Sequence, residues 1–234
     1  MDNAQQGGAG HTIGIGAQRR RPVSGRAAVA VVLITVELLR EVAVSATVWR
    51  DYSLLHDYIN GAATYADLEA ADADALTAVS STTAIFVVWA AAGVAFLVWL
   101  WRARINAESM GGRDSQRRSR GWVVGSWTTP VVNLWYPYQV VSDIWQASAP
   151  RRPVSGTLVK AWWVFFVLAG LVKPFQWRMA DPAHWESEKD VVSAANVTSL
   201  LTVLLLVAGV LLVLVIRQVT TWQNRAPGTA GGGR

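Results

Sequence analysis

The sequence predicts an all-α integral membrane protein with four transmembrane helices, and three observations lead to this prediction. Hydrophobic residues make up 52% of the 234 residues, charged residues only 16%, and there are 13 tryptophans. A soluble domain usually has about 25% charged residues, whereas amphipathic indole rings favour the bilayer interface. The apolar residues also fall into four segments of about 20 residues, the length that crosses a hydrocarbon core as a helix. The net charge of +5 comes from basic residues beside these segments, so we expect no nucleic acid partner.

The apolar segments define the expected domain organisation. They cover residues 27–49, 82–101, 159–178 and 194–216. Together they form a helical membrane domain over 27–217, because segments without strand alternation satisfy their backbone in lipid only as helices. The flanking regions 1–26 and 218–234 are low in apolar residues and partly rich in glycine, so both are predicted to be disordered, the first as a basic cytoplasmic N-terminus.

The charges between the segments predict the orientation of the chain. Residues 50–81 contain six acidic residues against Arg50 alone, whereas residues 102–120 contain six arginines. Because lysine and arginine concentrate on the cytoplasmic side of a membrane, residues 1–26 and 102–120 are expected inside and residues 50–81 outside. The expected location is the cell membrane.

The uncharged stretch from Gly121 to Ser142 has two readings. If 121–149 crosses the membrane, the chain has five spans, with 12 of its 21 lysines and arginines inside and 7 outside. If it returns to its own side, there are four spans, both termini are cytoplasmic, and the division becomes 16 inside and 3 outside. The second division follows the positive-inside rule better. The sequence therefore favours a re-entrant or interfacial helical element, broken by proline, over a fifth span.

Local chemistry supports a break in this element. Pro130 and Pro137 each remove a backbone donor, and Pro137 is well placed at the start of a helix. In the helix expected after it, over residues 138–148, apolar residues share one face and Asp143 lies on the other. This pattern predicts a short amphipathic helix at the membrane interface. The amide of Asn133, between the prolines, is expected to hydrogen-bond backbone or a neighbouring span.

The same stretch resembles a known family. The pattern WVVGSWTTPVVNLWYPYQVVSDIWQAS over 122–148, preceded by WRARINAESMG over 101–111, is similar to bacterial multi-pass membrane proteins grouped as domain of unknown function 4328. The resemblance covers residues 80–217. The residues at the family's characteristic positions are Pro130, Asn133, Pro137, Tyr138, Gln139 and Trp145. The resemblance implies a bacterial multi-pass membrane protein and implies no activity or substrate.

Four charged residues inside the apolar segments form the main candidate site. They are Glu37, Arg40 and Glu41 in the first segment and Lys173 in the third. A charge at a helix centre costs about 2.5–3.5 kcal/mol on insertion scales, so such groups usually face the bundle interior and find partners. Lys173 and Glu41 lie at similar depth, which predicts that they pair, with Arg40 available to Glu37. The cluster serves either as a proton or ion relay or as a structural ion pair between helices.

A second candidate site is the arginine-rich segment after the second span. Arg113, Arg117, Arg118 and Arg120 are positioned to bind anionic lipid headgroups, and their alternative role is that of a topology signal. The three histidines are far apart in sequence and there is no cysteine, so neither a metal site nor a cofactor is expected.

Three function classes follow from these features. We expect most strongly a non-enzymatic interaction or scaffold protein that partners the lipid bilayer, with a homo-oligomer or another membrane protein as protein partner. The alternative is a small transporter or channel that uses the four intramembrane charges. A membrane enzyme acting on lipid is the weakest class, because no hydrolase or nucleotide-binding motif is present. A water-filled cavity that reaches Glu37 favours transport, whereas Glu37 sealed by packed side chains favours a structural role.

Overall fold

The computed structural model describes residues 22–72, 82–179 and 187–226, and every regular element in these ranges is a helix. Within these ranges seven α-helices follow one another: α1 Ser24–Ile59, α2 Tyr65–Asp72, α3 Thr82–Gly111, α4 Trp122–Thr128, α5 Tyr136–Ser148, α6 Thr157–Met179 and α7 Glu188–Arg225. Two single turns of 3-10 helix, Arg113–Ser115 and Val132–Leu134, lie between them. The all-α class predicted from the sequence is confirmed for this part of the chain. Of the N-terminus expected to be disordered over residues 1–26, residues 1–21 lie outside the described residues, whereas residues 24–26 are helical because α1 begins at Ser24.

Three of the described helices are long and apolar enough to cross a membrane, namely Phe86–Gly111 in α3, Thr157–Met179 and Glu188–Arg225. Helix α1 is longer than α3 and α6, but it does not belong to this group. Its apolar run is interrupted by Glu37, Arg40 and Glu41, so its composition alone does not mark it as a span. The membrane character predicted from the sequence is therefore supported by three helices.

The long helices pack in the order α6, α7, α1 and α3. Helix α7 lies along both α6 and α1, and α1 lies along α3. At one end of this bundle α1 and α6 begin while α3 and α7 finish; we call it the basic end, because the arginines of residues 102–120 lie there. Among the largest fully buried side chains are Trp99, Leu100, Ile144, Trp162 and Ile216, all close to the basic end.

The segment 121–149 is broken, as the two prolines predict. Helix α4 ends at Thr128, and Val131 takes a φ of 67°, a left-handed conformation that a β-branched residue adopts only in a forced turn. Helix α5 then begins at Tyr136 with Pro137 in its first turn. The expected hydrogen bond of Asn133 is not found among the described residues, because this side chain points outward and is exposed.

The amphipathic interpretation of α5 needs a correction. Asp143, predicted to face water, is only 7% exposed. The chain between α3 and α4 covers this face: Arg117 donates to both Asp143 oxygens, from its backbone N at 2.9 Å and from Nε at 2.8 Å. The opposite face packs against α3, α6 and α7. Helix α5 is therefore covered by protein on both sides at the basic end, and it does not lie with a free polar face on a surface.

The tail expected to be disordered from residue 218 is helical as far as Arg225. Gln223 is buried and donates to Ala103 O at 2.9 Å and to Ser148 Oγ at 2.8 Å. The Trp222 ring lies 4.6 Å from that of Trp145. The last two turns of α7 thus join α3 and α5, which explains why they stay folded after the apolar run ends.

The Leu38 side chain of α1 packs directly against Gly209 of α7. A Cβ at this position would lie 2.6 Å from both Leu38 methyl carbons, so only glycine fits without movement. We expect Gly209→Ala to lower the stability of the detergent-solubilised protein by about 1–3 kcal/mol, as overpacking usually does. The measurement is thermal unfolding. Gly93→Ala is the matched control, because a Cβ at Gly93 meets nothing within 4 Å. Equal stability of the two variants would contradict the close approach.

Candidate functional site

The charges of α1 form a compact hydrogen-bonded group. Arg40 Nε donates to Glu37 Oε2 at 2.9 Å, and Nη2 donates to Glu37 Oε1 at 2.8 Å. The same Nη2 also donates to Glu41 Oε1 at 2.5 Å. The i, i+3 spacing on the helix places Arg40 over Glu37. Arg40 and Glu41 are buried, so these charges neutralise one another away from the surface.

Lys173 of α6 completes the group from the opposite side. Its Nζ lies 3.8 Å from Glu41 Oε1. The depth matching of the two helices predicts this pairing, and the structure brings the two groups together. The structure also changes the balance within the cluster: Glu41 is bound more closely by Arg40 than by Lys173. Arg40 is therefore the centre of the cluster, and Lys173 is at its edge.

Hydroxyl and indole groups connect α1 to α7 on the same face. Thr202 Oγ1 donates to the backbone oxygen of Glu41 at 3.4 Å, and Trp49 Nε1 donates to Ser199 Oγ at 2.8 Å. At the end of the bundle opposite the basic end, His56 Nδ1 lies 2.7 Å from Glu188 Oε1. These contacts fix the rotation of α1, so that its charges face the bundle.

A cavity of about 350 Å³ lies between α1, α3, α6 and α7 and reaches all four charges. Its other walls are almost entirely apolar, among them Ile34, Leu38, Ala169 and Leu205. The volume lies within the range of small-molecule sites, about 300–1,000 Å³. The combination of apolar walls with a few converging charged groups is typical of a binding site for a molecule that has a polar and an apolar part.

The cavity is closed toward the basic end and bordered by exposed aromatic rings at the other. An aromatic cluster closes it: Phe96 of α3 lies 5.6 Å from Trp127 and 6.5 Å from Trp162 of α6, measured between ring centroids. Away from this cluster α3 and α6 have little direct contact. Trp89 and Trp177, which line the cavity beyond this cluster, are 65% and 58% exposed. The cavity therefore opens sideways between α3 and α6, toward the space that lipid fills in a membrane.

The arginines expected to bind lipid headgroups are largely used within the protein. Arg120 binds Glu108 at 2.6 Å, and this hydrogen bond raises the pKa of Arg120. Arg117 binds Asp143, while Arg118 donates to Gln139 Oε1 at 3.1 Å and lies 3.9 Å from the centre of the Tyr136 ring. Arg113 is exposed. These side chains connect the segment after α3 to α3 itself and to α5, a role that the sequence pattern did not indicate.

The residues at the family's characteristic positions build the turn and its packing. Pro137 and Trp145 are buried, and Trp145 Nε1 donates to Ser155 O at 3.0 Å. Tyr138 and Gln139 are half-buried, whereas Pro130 and Asn133 are exposed. None of the six lines the cavity. In the described ranges no three His, Asp or Glu side chains are placed to hold a metal ion.

Sequence reasoning found the charges and missed the cavity walls. The wall residues Phe86, Trp89, Trp162 and Trp177 lie within two of the predicted apolar segments, where nothing in the sequence distinguishes them from other span residues. The gap between α3 and α6 determines which aromatic rings line the cavity. The helical periodicity of a single segment contains no information about that gap.

The comparisons with known proteins give one match. A family model described as domain of unknown function (DUF4328) matches residues 62–221. No curated protein and no solved structure matches the chain.

Arg40 is expected to contribute more to stability than Lys173. Arg40→Gln leaves Glu37 and Glu41 without their shared cation, and an orphaned buried charge costs about 3–5 kcal/mol. Lys173→Gln costs less, because Glu41 keeps its contact with Arg40. Thermal unfolding of the solubilised variants measures the stability lost in each. Adding Glu37→Gln to Arg40→Gln should restore part of the stability that Arg40→Gln removes. An equal or larger loss for Lys173→Gln would contradict this order.

Proposed function

The chain belongs to the family described as domain of unknown function DUF4328, and we propose from its structure that it is a four-span membrane protein that binds amphiphilic small molecules from the bilayer. The role is non-enzymatic: the protein holds such a molecule, and moves it between environments as a carrier. The cavity that reaches the four charges is the observation that supports this proposal. The proposed location is the plasma membrane of a bacterium.

The proposed fourth span is α1. Its three central charges are the reason that it lacks the composition of a span, yet Arg40 hydrogen-bonds to both neighbouring glutamates inside the bundle and Lys173 supplies the second positive charge. The cost of placing these groups at membrane depth is therefore largely offset by their mutual pairing. Helix α1 also lies between α3 and α7, two helices that are apolar enough to cross. With four spans, the basic end is cytoplasmic, and both termini lie on that side.

The cavity supports the transport class over the scaffold class. A purely structural ion pair would be sealed by packed side chains, whereas here Glu37, Arg40, Glu41 and Lys173 all line an open space. This favours the transport class over the scaffold class that the sequence alone favours. The apolar walls disfavour a path for hydrated ions, because such a path requires polar groups along its length. A molecule with an apolar body and a polar end satisfies both parts of the lining.

The basic end has a supporting role in this proposal. Arg113 is exposed, and the Arg117 side chain keeps 54% of its surface accessible beside Asp143. Each basic side chain near an anionic leaflet contributes about 1 kcal/mol to membrane association. We propose that these two arginines contact anionic headgroups while Arg118 and Arg120 hold the segment in place.

The topology has a direct test. A reporter that is active only in the cytoplasm, fused after Arg225, should be active, because four spans return the chain to the side on which it began. A fusion after Asn60 serves as the opposite control and should be inactive. Inactivity of the first fusion, although the fusion protein is produced, would support five spans and contradict the proposed arrangement.

The binding cavity is tested with an uncharged solvatochromic dye and the purified protein in lipid nanodiscs. We expect saturable binding with a blue-shifted emission, which Gly170→Phe abolishes or weakens by at least about tenfold because the ring fills the cavity. Gly170 lines the cavity, and a Cβ there meets nothing within 4 Å.

Gly93→Phe is the matched control for this experiment. A Cβ at Gly93 also meets nothing within 4 Å, and Gly93 does not line the cavity, so binding should be unchanged. Absence of saturable binding to the unaltered protein, or equal loss in both variants, would contradict the proposed function.

A further inference from the structure

We infer that the molecule bound in the cavity is a single-chain carboxylate, such as a fatty acid anion, whose carboxylate is held by Lys173 while its chain lies along the apolar walls. This inference rests on the proposed function and names the chemistry of the ligand. Three observations support it: the hydrogen bonds made by Arg40 and Lys173, the volume and apolar walls of the cavity, and the depth of Lys173 in the bundle.

The Lys173 ammonium has unused hydrogen-bonding capacity. Within the described ranges its contacts are Glu41 Oε1 at 3.8 Å and the Trp177 ring, whose centre lies 5.8 Å away. The first distance exceeds that of a hydrogen bond to a charged group, about 2.7–2.9 Å. The side chain is 30% exposed and lines the cavity. A cation that lines an apolar space without a hydrogen bond favours an anionic acceptor from outside the chain.

Arg40 offers a second donor beside it. Its Nε and Nη2 are used by Glu37 and Glu41, whereas Nη1 makes no hydrogen bond in the part of the chain that the structure describes. Arg40 and Lys173 both contact Glu41 Oε1, so the two cations are neighbours. Two adjacent donors match the two oxygens of a carboxylate.

A cationic ligand fits the cluster less well. Glu37, the more accessible of the two acids, already accepts hydrogen bonds from Arg40 through both oxygens. An amine would therefore compete with Arg40, and its positive charge would face Lys173. A carboxylate avoids both problems, because it meets Lys173 Nζ and Arg40 Nη1, neither of which makes a hydrogen bond in the part of the chain that the structure describes.

The cavity fits one acyl chain. Its volume of about 350 Å³ is more than twice the volume of about 150 Å³ that accommodates a benzene molecule, and its walls are apolar. The gap between α3 and α6 lets a chain enter from the bilayer without passing through water. The rings of Phe96 and Trp162 lie together at the end of the cavity that faces the basic end.

The position of Lys173 places the headgroup at a suitable depth. Lys173 lies six residues before the end of α6 at Met179, which corresponds to roughly 9 Å along the helix. Trp177, exposed one turn further on, is typical of the membrane interface. A carboxylate at Lys173 therefore lies just below the interface, and its chain points toward the membrane centre, as the chains of the surrounding lipids do.

The test is a displacement experiment in nanodiscs of zwitterionic lipid, with the uncharged dye bound in the cavity. Three competitors share one chain and differ in the headgroup: dodecanoate, dodecanol and dodecylamine. We expect dodecanoate to displace the dye at about tenfold to a hundredfold lower concentration than dodecanol, the factor that a charge-assisted hydrogen bond provides. Dodecylamine should be the weakest competitor. This ranking requires no altered protein.

Lys173→Gln should remove the preference for dodecanoate while the dye still binds, which shows that the cavity remains folded. Lys160→Gln is the control, since Lys160 is an exposed lysine on the same helix that does not line the cavity. Three results would overturn the inference: equal displacement by all three competitors, stronger displacement by dodecylamine, or an unchanged preference for dodecanoate in Lys173→Gln. The proposal that the cavity binds amphiphilic molecules would survive each of them. Failure of the dye itself to bind would overturn the proposed function as well.

Discussion

The guanidinium of Arg40, hydrogen-bonded to Glu37 on one side and Glu41 on the other, is the interaction on which the rest of the structure depends. Helix α1 lies between α3 and α7, so its central turns must face protein, and they carry three charges. Each of these charges alone costs about 2.5–3.5 kcal/mol at the centre of a spanning helix. Lys173 supplies the second positive charge that the two acids require, and Arg40 hydrogen-bonds to both of them. Without Arg40, α1 could not occupy its place and the cavity would lose a wall.

The same interaction explains why Lys173 is available to a ligand. Glu41 is bound primarily by Arg40, so Lys173 is needed to balance charge and is not needed as a hydrogen-bond donor within the protein. A buried cluster in which every hydrogen-bonding group has a partner contributes to stability alone. A donor at the edge of the cluster without a hydrogen bond can also bind a ligand. The stability of the bundle and the proposed binding thus use different members of one cluster.

The features that could be predicted from the sequence depend either on neighbouring residues in the chain or on the depth of a residue along its helix. Pro130 and Pro137 break the segment between α4 and α5, because proline lacks a donor wherever it stands. The Glu41–Lys173 contact followed from counting helical rise along two spans. By contrast, the Arg117–Asp143 contact and the Gln223 hydrogen bond to Ala103 join positions far apart in the chain. A hydrophobic pattern shows that Asp143 lies on a polar face, and it does not show that another segment covers that face.

The central claim, that internal pairing lets the charged helix α1 cross the membrane, is tested most directly by the accessibility of its two ends. The chain has no native cysteine, so single cysteines at Ser24 and Ser53 report without further changes. With a membrane-impermeant maleimide on intact cells, the account predicts labelling of Ser53→Cys and protection of Ser24→Cys until the membrane is permeabilised. Equal labelling of both ends, or protection of both, would show that α1 does not cross and would contradict the account.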